Sequence, residues 1–332
     1  MNQHIQNIEI SNFKSIKDLK IDGCKKINIF AGKPNAGKSN ILEALSVFDL
    51  LKNKKGFYLK NYIRYSKFQD LFFEGNFNKN SHININKSGA SFIITNNDLI
   101  LAKRIDKKKA EFTKFDENGF SFFENNTQSF NEIIKKYKFQ ESENYSNEDL
   151  KSLTSPFGEN LGQIISSLPE LRNSINKFFI QNNLKLLIER GTSELRIFKE
   201  YQDGTVFSLP YSMIADTLQR LIFYKTAILS NHNSVLLFEE PEAHCFEPYI
   251  LEFTNEVKFN ENNNQFFIVT HSDFIIQEFL RDEESKNDLQ IYLVNNVDGE
   301  TKVKKLDKKN NDDVYEYGMN VFFNFDSLWE NN

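Results

Sequence analysis

The 332-residue chain carries a net charge of −5, is 39% hydrophobic and 26% charged, and holds 33 Phe, the composition expected of a soluble globular protein with an aromatic core. That balance supplies no overall attraction to nucleic acid, and no apolar run reaches the length that crosses a bilayer, so a cytoplasmic protein without a membrane span is expected. Cys24 and Cys245 have no paired spacing, which excludes a disulfide framework and a cysteine metal site; each reads as a small buried hydrophobe.

The opening Ile5–Ile10 alternates apolar and polar residues, and Phe13, Ile16, Leu19 and Ile21 continue the pattern through Gly23, predicting two strands at a sheet edge. Lys26–Ala31 predicts a short buried strand and Asn40–Phe48 a helix. Between them Gly32-Lys33-Pro34-Asn35-Ala36-Gly37-Lys38-Ser39 is a full phosphate-binding loop pattern, in the strand-to-helix context that its mechanism needs. Glycines at 32 and 37 free the backbone so that successive N–H groups can converge on phosphate oxygens at the positive end of the following helix. Lys38 would meet the β and γ phosphates, and the Ser39 hydroxyl would help hold Mg²⁺.

Farther on, Leu71–Phe77, Ile83–Ile85, Ser91–Ile94 and Leu99–Leu101 predict short strands separated by turn residues, an antiparallel meander over 76–126. The spacing then becomes helical through Leu161, Ile164, Ile165, Leu168, Leu171, Ile175 and Phe178, predicting a helical lobe over 127–204. A helix is expected over Ser212–Leu229, then strands over Ser234–Glu239, Gln265–Thr270, Leu289–Val294 and Thr301–Val303, with a helix over Phe274–Leu280. The expected organisation is thus a core of 1–75 and 205–332 with the meander and the lobe inserted. Lys103–Lys114 and Lys302–Lys309 are locally basic and read as solvated faces.

Val235-Leu236-Leu237-Phe238 is an apolar strand that ends in adjacent acids, Glu239 and Glu240. Ligands of open α/β sheets gather at the carboxyl ends of strands, so Glu239 is placed as a metal ligand and Glu240 as the acid that polarises water; solvated strand-cap acids are the alternative. The strand Phe266–Val269 delivers His271 to the same edge, where it could donate a hydrogen bond to a γ phosphate.

Four segments together resemble the ABC-type ATPases of the RecF, SMC and OLD group, especially short bacterial AAA-labelled ATPases of antiphage defence. They are Ile8–Ile16 with its Asn12-Phe13-Lys14-Ser15, the phosphate loop, Leu236–His244, and Ile268–Ser272. The resemblance implies an α/β, ABC-type P-loop head, a mixed sheet with an antiparallel β subdomain and a small inserted helical lobe. It implies ATP and Mg²⁺ as cofactors, held by Gly32, Lys33, Asn35, Ala36, Gly37, Lys38, Ser39 and Asn40. It further implies a homodimer or higher homo-oligomer, whose heads sandwich ATP and complete each other's site with a signature helix. That helix is Ser212–Arg220, where Ala215-Asp216-Thr217 and Arg220 stand in for a Ser-Asp-Gly and a following Arg; Thr217 could supply the hydroxyl and Asp216 could cap the helix. Many members have Asp at the position of Glu239, which points to slow hydrolysis, and a Gln that reaches Mg²⁺, for which Gln69 is the candidate.

Three functional readings stay open. In the first the chain is the ATP-driven sensor of an antiphage defence complex; 295–332 is too short for an OLD-type nuclease, so a nuclease or toxin effector is expected on another chain. The second is a DNA-repair ATPase binding duplex DNA, and the third a nucleotide-gated scaffold that hydrolyses slowly and cages a toxin.

Overall fold

Alternation drives the first hairpin: Ile8, Ile10 and Phe13 of β1 (Asn7–Phe13) and Ile16, Leu19 and Ile21 of β2 (Ile16–Asp22) are all buried, with polar residues between them. In the computed structural model the described residues are 4–50, 56–95, 98–104, 110–121, 134–141, 151–180, 183–189 and 192–331. By contact they divide into two units, Met1–Lys136 with Asn233–Glu240 and Asn264–Asn332, and Tyr137–His232 with Pro241–Asn263. These edges differ from the boundaries expected at 75, 126 and 204.

In the first unit, β3 (Ile27–Gly32) is buried along its whole length, and α1 (Lys38–Leu50) follows it. β4 (Phe57–Tyr58) comes next, then β5 (Ser81–Ile85), β6 (Ser88–Thr95), β7 (Asp98–Arg104), β8 (Ala110–Phe115) and β9 (Phe120–Ser121). β5 to β8 form the expected meander, but β5 pairs with β1, so one antiparallel sheet runs β2-β1-β5-β6-β7-β8. The expected strand over Leu71–Phe77 is instead two 3-10 turns, Phe68–Leu71 and Phe73–Gly75. Leu71 and Phe72 are apolar because they are buried, while left-handed Glu74 and Gly75 reverse the chain straight after them. Of the basic run 103–114, the side chains of 103–111 lie outside the described residues; Lys114 pairs with Asp98 at 2.6 Å.

β10 (Ile134–Tyr137) opens the second large sheet, ordered β10-β14-β15-β3-β16-β17. The second unit then contributes α2 (Leu161–Ser167), α3 (Pro169–Ile180), β11 (Lys185–Ile188), β12 (Leu195–Glu200), β13 (Val206–Pro210) and α4 (Asp216–Ser230). The expected helical spacing is realised in α2 and α3, which bury Leu161, Ile164, Ile165, Leu171 and Ile175. The lobe is not purely helical, however. β10 lies in the large sheet and β11-β12-β13 form a small antiparallel sheet, while 127–133, 142–150, 181–182 and 190–191 lie outside the described residues.

β14 (Val235–Glu239), α5 (Glu247–Lys258), β15 (Gln265–Val269), α6 (Asp273–Leu280), α7 (Glu283–Asn287), β16 (Leu289–Val297), β17 (Glu300–Lys305), α8 (Lys308–Glu316) and α9 (Phe325–Glu330) complete the chain. β14, β15, β3 and β16 are parallel neighbours, and β15 and β3 are buried along their whole length, as is common for strands inside a parallel sheet. Cys24 is buried as expected, but Cys245 is only partly so, its thiol directed at the Pro241 carbonyl oxygen at 3.4 Å. Among the described residues no helix is long and apolar enough to cross a membrane.

Candidate nucleotide-binding site

Parallel register brings three carboxyl ends to one sheet edge: Glu239 of β14 lies opposite Val269 of β15, and Val269 opposite Phe30 of β3, two residues before the loop. Gly37 has a φ of 94°, and a Cβ there would stand 2.0 Å from Thr301 Oγ1 and 2.7 Å from Ser15 Oγ. Those two hydroxyls, 2.7 Å apart, fill the space that a side chain would need. Thr301 donates to the Ala36 carbonyl oxygen at 3.1 Å, and the Asn40 amide donates to Ser15 Oγ at 2.6 Å. Ser15 of the β1–β2 turn and Thr301 of β17 therefore fasten the loop from outside it. Thr301→Val would orphan the Ala36 carbonyl, and a loss of about 1–3 kcal/mol in urea-unfolding stability is expected; an unchanged midpoint would remove Thr301 from this role.

Lys38 is buried and folds back on its own loop, its ammonium donating to the carbonyl oxygens of Gly32 and Lys33 at 2.8 Å each. A phosphate there would compete for donors already aimed into the loop. Lys33 itself turns outward, 2.6 Å from Asp326 of α9 and over the ring of Phe325. Asn35 adopts the left-handed conformation that Asn tolerates, at φ 59°.

Glu239 is mostly buried, with the Ser39 hydroxyl among the groups beside its carboxylate. Burial opposes its charge, but Lys136, the Ser39 hydroxyl and Arg64 together hold its carboxyl below the usual range. The Arg64 guanidinium is 3.3 Å from Glu239 Oε1 and the Lys136 ammonium 3.5 Å from Oε2. Arg64 is steadied by Glu43 of α1, a fully buried carboxylate that accepts from Arg64 Nε at 2.6 Å and from Lys14. Burial pushes the Lys136 ammonium down from the usual lysine range, against the pull of Glu239 and Glu43.

The donor set at Ser39 and Glu239 is hard oxygen, which suits Mg²⁺. Among the described residues no group of three His, Cys, Asp or Glu side chains could hold a metal alone, so a cation here would be completed by water and phosphate. Gln69 lies in the 3-10 turn at 68–71 and, among the described residues, makes no side-chain hydrogen bond with Ser39 or Glu239; the side chain that this region brings to Glu239 is Arg64.

Glu240 is left-handed at φ 47°, its N–H bonded to the Val269 carbonyl oxygen, and its carboxylate is 3.6 Å from His271 Nε2. Both side chains reach solvent, and Phe322 stacks on the His271 ring at 6.2 Å. Burial, then Lys38, lower the imidazole's affinity for a proton, outweighing Glu240. A histidine lowered in the fold contributes stability above its unfolded value of about 6.5 and loses it as pH falls toward the folded value. His271→Asn is therefore expected to flatten the acid side of a melting-temperature profile just below pH 6.5, and a profile identical to wild type would contradict this.

The proposed signature residues lie in the second unit. The N-cap of α4 is Ala215 and makes no side-chain cap bond, so Asp216 is not the cap. It stands at the first helical position and pairs with Arg220, one turn on, at 2.7 Å. Arg220 also lies over Phe139 at 4.7 Å, and Thr217 is half-buried.

Glu43, Arg64, Lys136 and Thr301 are site residues that the sequence reading missed. One signal was available for Lys136: within Ile134–Tyr137 it falls on the same alternating face as fully buried Ile134.

No protein-family model matches the chain. It is 23% identical over 348 aligned positions to an ATP/GTP phosphatase of Helicobacter pylori, spanning 89% of this chain and 93% of that one. It is 22% identical over 228 positions to the DNA replication and repair protein RecF of Caldanaerobacter subterraneus, spanning 58% and 61%. Among solved structures, an SMC head bound to the C-winged helix domain of ScpA matches with a TM-score of 0.52 at 17% identity, spanning 92% of this chain and 98% of that one. The fold is that of an ABC-type P-loop ATPase head, as expected.

Proposed function

We propose that this chain binds ATP with Mg²⁺ and hydrolyses it, and that the bound nucleotide joins two heads whose separation follows hydrolysis. One observation carries the reading: Lys38, Ser39, Glu239, Glu240 and His271 converge at one sheet edge, linked by the Ser39–Glu239 and Glu240–His271 contacts. The likeness to an ATP/GTP phosphatase supports nucleotide hydrolysis, and GTP belongs in the same assay.

Each residue then has a task. The loop backbone from Gly32 to Ser39 cradles the phosphates with Asn40 behind it, and Lys38 exchanges its two carbonyl acceptors for phosphate oxygens. Ser39 and Glu239 would hold Mg²⁺, with Gln69 a candidate third ligand, and the ion would supply charge neutralisation for the phosphates. Glu240 orients the attacking water and accepts its proton, and the neutral His271 donates to the γ phosphate. Asp216, Thr217 and Arg220 would act on the nucleotide of a partner head. Glu240→Gln mixed with ATP should elute as a dimer in size exclusion with light scattering, and a monomer at saturating ATP would sink the sandwich.

On that switch we place a regulatory role in the cytoplasm: the head pair senses a phage component and restrains or releases an effector on another chain. The resemblance to defence ATPases supports this. Loss of phage protection in cells carrying Lys38→Ala, against protection by wild type in the same gene context, is the test. The RecF similarity favours a second reading, a repair ATPase on duplex DNA. ATP-strengthened, salt-dependent binding to a DNA duplex would select it.

A further inference from the structure

His271 stands on the short link between β15 and α6, with its side chain 38% exposed. The torsion that sets an imidazole plane has broad, roughly two-fold preferences, so the side chain does not fix its own ring. Glu240, 3.6 Å from Nε2, is too far for a hydrogen bond that would fix it. Phe322 lies against the ring, with centroids 6.2 Å apart and planes 29° from parallel. It is itself firmly placed. Val321 is fully buried and its N–H donates to Asp273 Oδ1 at 2.8 Å, which pins the segment to the helix that follows His271. Asn320 Oδ1 accepts from the N–H groups of Phe322 and Phe323 at 2.9 and 3.0 Å, and buried Phe325 and Leu328 anchor α9 just after them. Of two consecutive phenylalanines, one therefore packs on His271 and the other, Phe323, is 91% exposed.

We infer that Phe322 is a positioning residue for the hydrolysis step: it holds the His271 imidazole in the plane from which the ring donates to the γ phosphate. The inference rests on the reading of His271 as that donor. Offset stacking of two rings biases their orientation by about 3- to 10-fold. The loop and Lys38 bind the phosphates, whereas His271 meets only the group being transferred, so a loosened ring should slow the step without weakening binding. Phe322 also withdraws one face of the imidazole from water. The charged groups that bear on the ring are Lys38 of α1 and Glu240 beyond β14, and a change at Phe322 leaves both in place. Lys33 of the loop and Asp326 of α9 pair with each other, and the Asp273 carboxylate is taken by the Val321 N–H. Phe323, with the same side chain one residue on and almost wholly in solvent, is the built-in control.

The test is steady-state ATP hydrolysis by the full chain. Phe322→Ala should lower kcat by about 3- to 10-fold and leave KM within about twofold, Phe322→Tyr should restore it, and Phe323→Ala should match wild type. Combined with His271→Ala, Phe322→Ala should cost nothing further. A second readout needs no nucleotide. In nitrogen NMR of the His271 ring the titration midpoint of Phe322→Ala should move up toward about 6.5, because burial is the largest cause of its lowering. An unchanged kcat or an unmoved midpoint in Phe322→Ala would overturn the inference. An equal fall from Phe323→Ala, or a fall that persists without His271, would do the same. If His271→Ala itself turns over like wild type, the reading of His271 as the donor fails instead. Where Phe322→Ala does not fold, Phe322→Leu, which keeps apolar bulk without a ring, should show the same fall.

Discussion

Lys38→Ala is expected to lower ATP turnover by about 10²- to 10³-fold or more and to weaken nucleotide binding, because a phosphate seated in the proposed loop would lose a buried ammonium aimed into it. Glu240→Gln should split these effects. It keeps the left-handed backbone bond to Val269 and the side chain's size, so ATP should still bind, while loss of the carboxylate proposed to take the water's proton should cut turnover by about 10²- to 10⁴-fold. Phosphate release read beside a fluorescent ATP analogue separates the two variants. Ordinary hydrolysis in both would dismantle the site.

The second large effect is on stability. Glu43→Ala is expected to cost about 2–4 kcal/mol in urea unfolding, since a fully buried carboxylate is removed from between two cations. Exposure of Arg64 to solvent keeps the figure below the range for a wholly buried pair. Lys14 is the side chain that suffers, being largely enclosed. Glu43→Gln should cost less, because the amide oxygen can still accept from one partner. The alanine variant also frees Arg64 from its anchor, so its effect on Glu239 should exceed that of an equally destabilising change in the distant meander. A cost under about 0.5 kcal/mol for Glu43→Ala would show that the two cations are satisfied by water instead.

The parts of the site written in contiguous residues were legible beforehand. Gly32–Ser39 between strand and helix, and apolar Val235–Phe238 ahead of paired acids, each carry their context with them, and parallel pairing then had only to set them side by side. His271 follows β15 for the same reason. Arg64, Lys136 and Thr301 could not be found this way, because each acts through a partner far along the chain and has no local motif. Leu71–Phe77 misled because burial of Leu71 and Phe72 looks the same in a strand and in a turn. The lobe misled differently: α2 and α3 have clear spacing, whereas β11 and β12 are short and only one face of each is buried. Asp216 was expected to cap α4 on residue type alone, and its carboxylate went to Arg220 one turn away.

The fastening of the phosphate loop by Ser15 and Thr301 also bears on when the site can exist. The two hydroxyls meet across 286 residues of sequence, among the longest separations that any hydrogen bond here closes. The glycine-rich loop and Ser15 precede β17 in the chain, yet Thr301 does not stand against Gly37 until β17 has emerged and paired with β16. Loop closure over that distance is slow and comes late. A nascent chain stalled before residue 301 would carry the complete motif and still bind nucleotide weakly, so competence is acquired only once β17 is in place.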